Sequence, residues 1–138
     1  VRALVEADVL TICSGGGGIP VVAEDGQYVG VEAVNDKDFS ARVLAENVDA
    51  DRLIILTGVD NIYINYNQPD QKALEQISVA EAEEYIKEGH FAAGSMLPKI
   101  EAALDFVKGD DKRKAIITSI ENLENIDKEA GTVISQKG

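Results

Sequence analysis

Asp49-Ala50-Asp51-Arg52-Leu53-Ile54-Ile55-Leu56-Thr57-Gly58-Val59-Asp60-Asn61 is the stretch whose reading decides the fold. Arg52 to Thr57 is an unbroken apolar, β-branched run with no polar alternation. Such a run marks a strand covered on both faces, the usual condition of a parallel sheet. Gly58 to Asn61 then turns the chain at the strand's C-terminal end. Just upstream, Ala41, Leu44, Ala45 and Val48 fall at the spacing of one helix face, with Asn35 or Asp36 available as N-cap.

Downstream the alternation continues. Ile62 to Tyr66 reads as a second strand, followed by a polar loop through Gln68-Pro69-Asp70. Ser78 to about Glu88 reads as a helix, with Ser78 and Glu81 in capping-box positions and Gly89 as its stop. Pro98 opens another helix, carrying Ile100, Ala103, Leu104 and Val107 on one face. Lys114 to Thr118 returns as a buried strand, and Thr132 to Ile134 forms a last short one. Upstream, Val9 to Cys13 is a β-prone run that stops at Ser14-Gly15-Gly16-Gly17-Gly18. Asp25-Gly26 predicts a hairpin between Pro20–Ala23 and Gln27–Val31, lying at an edge or rim. Strands alternating with helices define an α/β fold.

With 138 residues, 45% of them hydrophobic, the chain has the length and the apolar content of one domain. Its 25 acidic residues outweigh 13 basic ones, giving a net charge of -12, and no run of Lys or Arg stands ready for a nucleic acid or an anionic membrane. A nucleotide is not excluded, because a phosphate answers to the cations and amides nearest it far more than to distant, screened carboxylates. Cys13 is the only cysteine, so no intrachain disulfide forms, and it reads as a small buried strand residue in a reducing compartment. No apolar run approaches the ~20 residues that span a bilayer, and no signal-peptide pattern is present, so the expected location is cytoplasmic. Val1 to Asp8 reads as the tail of a helix already under way, as in a fragment of a longer chain.

Three places carry candidate chemistry. Gly15 to Gly18 offer amides with no side chain in the way, suited to phosphate or carboxylate oxygens. The Rossmann spacing fails at Pro20, no P-loop Lys-Ser or Lys-Thr follows, and a turn without ligand explains the run equally well. In Asn35-Asp36-Lys37-Asp38, Lys37 opposes the helix macrodipole by ~0.3 to 1 kcal/mol. It is either a solvated lysine paired with its neighbours or a phosphate-facing one steered by Asp38. In Gly94-Ser95-Met96-Leu97-Pro98-Lys99, a small-residue loop brings free amides and Lys99 to a helix start. A lysine ~4 Å from a phosphate charge gains about 4 kcal/mol at an effective dielectric of about 20, before desolvation, which exceeds the helix-end cost. Without a ligand Lys99 is an exposed lysine.

His90, the only histidine, sits in Gly89-His90-Phe91, where a packed structural role is favoured over a general base. No His and Cys cluster marks a metal site; the metal expected is Mg²⁺ brought by nucleotide phosphates. No Gly-x-Ser-x-Gly elbow supports a serine nucleophile.

Taken together, SGGGGIPV (Ser14 to Val21), GVEAVNDKDFSARVLAE (Gly30 to Glu46), DADRLIILTGVDNIYINY (Asp49 to Tyr66) and EGHFAAGSMLPKIEAALDFV (Glu88 to Val107) resemble, in order and spacing, the carbamate kinases of the amino-acid kinase family. The resemblance covers nearly the whole chain, and NDKDF with GHFAAGSMLPK is its specific part. It implies a three-layer α/β/α sandwich with a mainly parallel sheet, of which residues 1–138 are the C-terminal, nucleotide-binding half and the N-terminal, carbamate-binding half is absent. The implied reaction is reversible phosphoryl transfer between carbamoyl phosphate and ADP, giving ATP and carbamate in arginine or purine-derived nitrogen catabolism. The fragment alone is expected to be inactive, and the full-length protein a homodimer.

By that similarity Lys99 binds the nucleotide phosphates, Lys37 the phosphoryl group in flight, and Asp38 orients the lysines. The implied nucleotide contacts are Gly16 and Gly17 in the glycine run, Thr57, Gly58, Asp60 and Tyr63 around the strand end, and Gly94, Ser95 and Met96 before Lys99. Two other readings stay open: a related acid kinase, such as an acetylglutamate or uridylate kinase, and a nucleotide-binding regulatory module without turnover. The first should lack the Asp36-Lys37-Asp38-Phe39 and His90-Phe91 patterns.

Overall fold

A computed structural model describes residues 1–138. In chain order the elements are α1 (Arg2–Glu6), β1 (Val21–Glu24), β2 (Gln27–Gly30), α2 (Lys37–Asn47), β3 (Arg52–Thr57), β4 (Ile62–Ile64), β5 (Lys72–Leu74), β6 (Gln76–Ser78), α3 (Val79–Lys87), α4 (Met96–Lys108), β7 (Lys114–Ser119) and β8 (Thr132–Ser135), with a 3-10 turn at Leu123–Lys128. The main sheet has the order β3-β7-β8-β6. β3 pairs parallel with β7 from Arg52↔Lys114 to Thr57↔Ser119, β6 pairs parallel with β8, and β7 meets β8 antiparallel. The fold is thus α/β with a mainly parallel sheet.

The core lies between this sheet and the helices. Ile100, Ala103, Leu104, Phe106 and Val107 of α4 pack with Leu53 and Ile55 of β3, Ala115 and Ile117 of β7, and Ile134 of β8. β7 is central and buried from Ala115 to Ser119, as its apolar run predicts. β3 departs from the two-sided burial expected of it: Leu53 and Ile55 are buried, but Ile54 and Leu56 on the opposite face are exposed. The cause is position, since β3 is an edge strand with helix cover on one face only.

Local chemistry fixes most boundaries. Asp36 caps α2 by accepting a hydrogen bond from the Asp38 amide at 2.7 Å. Ser78 and Glu81 form both halves of the capping box, and the Ser78 bonds hold the Glu81 carboxyl below its usual range. α4 starts at Met96, two residues before the expected Pro98, which the fold tolerates because first-turn amides need no intrahelical acceptor. Asp25 and Gly26 both take positive φ (49° and 77°), the twist a two-residue hairpin loop requires. Gly131 is obligatory: at φ +125° an added Cβ would stand 2.6 Å from Thr118 Cβ and 2.7 Å from the Ile117 carbonyl.

Two expectations are corrected. Val9 to Cys13 forms no strand, and Leu10 and Ile12 are 96% and 99% exposed. A β-prone run becomes a strand only when another backbone accepts its amides and another surface covers its side chains, and here neither does. Cys13 is accordingly exposed rather than buried.

Candidate functional site

Two short connections, 48–51 and 109–113, return α2 into β3 and α4 into β7. Because β3 and β7 are parallel, the N-termini of α2 and α4 and the C-terminal ends of both strands share one sheet edge. That edge is where open α/β sheets form ligand crevices.

The helix N-termini meet through charge. Lys99 Nζ donates to Asp38 Oδ2 at 2.7 Å, and Lys37 Nζ lies 3.7 Å from the same oxygen. Asp38 is 7% exposed. Lys99 is nearly as buried, whereas the Lys37 side chain is 64% exposed. With Asp36 capping α2, the two lysines and two carboxylates balance formally, and the macrodipoles of two helix N-termini supply the positive bias. The lysines, unfavourable for their own helices, are thereby held where an anion would meet both.

The glycine run leans on the same point. Gly18 N–H donates to Ser40 Oγ at 3.1 Å, and that hydroxyl donates to the Asp36 carbonyl at 3.2 Å. Gly17 takes φ +130° and approaches so closely that a Cβ would lie 3.2 Å from the Asn35 carbonyl and 3.7 Å from Lys37 Cα. Around Gly16 there is open space.

Next to the lysines lies a cleft of about 590 Å³ whose walls include Thr57, Gly58 and Val59 after β3, Tyr63 and Tyr66, His90 and Phe91, and Ser95 and Met96 at the start of α4. Tyr63 and Tyr66 form a tilted aromatic pair with centroids 5.8 Å apart. His90 accompanies them, edge-on to Tyr85 at 5.7 Å with Nε2 3.0 Å from Glu88 Oε2, the packed and hydrogen-bonded setting expected of it.

The structure therefore sorts the sequence-predicted residues into groups. Lys37, Asp38 and Lys99 come together with Gly17 beside them. Thr57, Gly58, Tyr63, Ser95 and Met96 line the cleft, while Gly16, Gly94 and Asp60 do not. The expected free amides before Lys99 are not free, since the amides of Ser95, Met96 and Leu97 all donate to the Ala92 carbonyl. At the start of α4 the positive group is the Lys99 side chain rather than orphan N–H groups. Val59, Asn65 and Tyr66 lie within the Gly58 to Tyr66 turn that the sequence places at the crevice, whereas the Gly89–Ala92 stretch was missed as a cleft wall. The only sequence signal for that stretch was aromatic residues clustered after a helix end.

No group of three or more His, Cys, Asp or Glu gathers to cage a metal. No helix is long and apolar enough to cross a membrane.

A profile of the amino acid kinase family matches residues 1–119. The chain is 55% identical over 137 residues to the carbamate kinase of Latilactobacillus sakei, and 55% identical over 138 residues to carbamate kinase 1 of Enterococcus faecium. Each match covers 99% of this chain and 44% of the relative, so the chain spans less than half the length of these proteins. Among solved structures it superposes on carbamate kinase from Giardia lamblia bound to AMP-PNP with a TM-score of 0.92 at 42% identity, covering 99% of this chain and 48% of that one. A likeness in fold alone, with TM-score 0.60 and 22% identity over 75% of this chain and 24% of the other, extends to N-acetylglutamate synthase from Neisseria gonorrhoeae.

Proposed function

The chain belongs to the amino acid kinase family, and from that premise we propose that it is the nucleotide-binding portion of a carbamate kinase, acting on ADP and ATP. The observation that carries this reading is the Lys37–Asp38–Lys99 cluster, whose Lys99 lies one helical turn from the cleft wall at Met96. Met96 lines the cleft and Lys99 follows three residues later on α4, about 4.5 Å along the helix axis. A nucleoside among Tyr63, Tyr66, Phe91 and Met96 then directs its phosphates at Lys99.

In the proposed reaction, a terminal oxygen of ADP forms a bond to the phosphorus of carbamoyl phosphate as the bond to the carbamate oxygen breaks, and carbamate departs. Such transfer needs positioned partners and charge on the equatorial oxygens rather than a covalent intermediate. Lys99 holds the nucleotide phosphates, exposed Lys37 turns to the phosphoryl group in transit, and Asp38 keeps both ammonium groups aligned. Mg²⁺ arrives on the nucleotide and adds neutralising charge. Carbamoyl phosphate and the dimer contact belong to parts of the relatives' length that this chain does not span.

Two measurements test this. The 138-residue chain should bind ADP in calorimetry and form no ATP from carbamoyl phosphate and ADP in a coupled assay, because a second substrate that is not positioned forfeits up to ~7 to 11 kcal/mol. Robust turnover by this chain would place the acid site within it and refute the division of labour. Absence of ADP binding would refute the nucleotide site itself.

A further inference from the structure

We infer that Ser119, acting through Asp60, is a positioning residue for the wall of the nucleotide cleft, a role that rests on the nucleotide reading above. Thr57 pairs with Ser119 in the last rung of the parallel ladder between β3 and β7. Beyond that rung the chain turns through Gly58 to Asn61, and Thr57, Gly58 and Val59 line the cleft. No main-chain hydrogen bond closes this turn. The wall of the cleft is therefore held in shape by side chains.

Those side chains come from β7 and β8. Ser119 Oγ donates to Asp60 Oδ1 at 2.5 Å, and Thr118 Oγ1 donates to the Asp60 carbonyl at 3.3 Å. Ser119 is 2% exposed and Thr118 fully buried, so the anchor is a buried, interior strand of the sheet. Gly131 presses on Thr118 from behind, and Asn122 Nδ2 donates to Thr118 Oγ1 at 3.4 Å. At the far end of the turn the Ile62 amide donates to Thr132 Oγ1 at 2.8 Å, and the Asn61 side chain donates to the Leu74 carbonyl at 3.2 Å. Asp60 is the one acidic residue of the turn, and Oδ1 of its carboxylate is taken by Ser119. Its carboxylate clasps the turn to β7, and its neighbours Thr57–Val59 on one side and Tyr63 on the other line the cleft. Ser119 lies outside the cleft and acts only through this clasp.

The test is Ser119→Ala, read by ADP calorimetry and by backbone amide order parameters at Gly58 and Val59 without ligand. Loss of a hydrogen bond to a carboxylate at the cleft wall should weaken ADP binding about tenfold. It should also lower the order parameters of Gly58 and Val59 while leaving those of α4 and β8 unchanged. On an Asp60→Ala background, Ser119→Ala should add no further loss. Unchanged order parameters at Gly58 and Val59 overturn the clasp, and lowered ones with unchanged ADP affinity overturn its role in binding. Full additivity with Asp60→Ala shows that Ser119 acts by another route and also overturns it. A wild-type chain that takes up no ADP refutes the nucleotide reading and this role with it, whereas binding by the wild type that Ser119→Ala leaves intact refutes this role alone.

Discussion

Residues 1–36 and residues 37–138 are made of similar material and meet different fates. Val9, Leu10, Ile12, Ile19, Val21, Val22, Val29 and Val34 are as apolar as anything in β3 or β7, yet every buried residue of the chain lies at Asp38 or later. In the later region the helix stripes find facing ones, since α4 lies on β7 and α2 meets both α4 and β3, and the Ile54–Leu56 face of β3 is left open. In the earlier region the hairpin β1–β2 forms because Asp25-Gly26 supplies its turn, and all its residues remain exposed. Turn chemistry is thus sufficient for a local shape, whereas burial requires a second surface. The first region touches the second at defined points, through Arg2 to the Asn47 carbonyl and Gly18 to Ser40.

The contrast predicts unequal responses to mutation. The largest loss should come from Gly131→Ala, because the new Cβ meets Thr118 Cβ at 2.6 Å and the Ile117 carbonyl at 2.7 Å. Backbone strain and overpacking together should cost ~3 kcal/mol or more in urea unfolding. Ile117→Ala, fully buried, should cost about 2 to 5 kcal/mol, while Ile12→Ala, at 99% exposure, should stay within about 0.5 kcal/mol. Equal losses at positions 12 and 117 would erase the distinction between the two regions.

At the site the expected effect is kinetic. In an enzyme that carries this portion with its acid-binding complement, Asp38→Asn should lower turnover by roughly a hundredfold, about 2.7 kcal/mol of barrier, with little change in ADP affinity. Undiminished turnover would reduce Asp38 to a helix N-terminal acid.

Smaller again is Ser78→Ala, which removes the capping box of α3 and should cost about 1 kcal/mol near neutral pH. Ser78 lowers the folded-state pKa of Glu81 from its ordinary 4.5. A depressed carboxyl contributes stability above its unfolded value and loses it as pH falls through the folded one. The gap between wild type and Ser78→Ala should therefore narrow as pH drops below 4.5. A gap that widens on acidification would contradict the assigned cause.

Much of this was legible in the sequence because it is local. Periodicity locates α2, α3 and α4, the Ser78–Glu81 spacing announces its cap, and Asp25-Gly26 announces its hairpin. Lys37 and Lys99 stand out as cations where helices disfavour them. What the sequence does not contain is which strand is an edge, so Ile54 and Leu56 read as buried and Val9 to Cys13 as a strand. Nor does spacing say that Asp38 and Lys99, 61 positions apart, would share a 2.7 Å hydrogen bond. The pairing of Asp60 with Ser119 is equally long-range.

The central claim, that the two lysines face nucleotide phosphates beside an aromatic cleft, is tested most directly by comparing ADP with adenosine on the wild-type chain and on Lys99→Ala by calorimetry. Loss of a charge-assisted phosphate contact should weaken ADP binding at least about tenfold and leave adenosine binding unchanged. Equal affinity for ADP in both proteins, or a parallel loss for ADP and adenosine, would contradict the account.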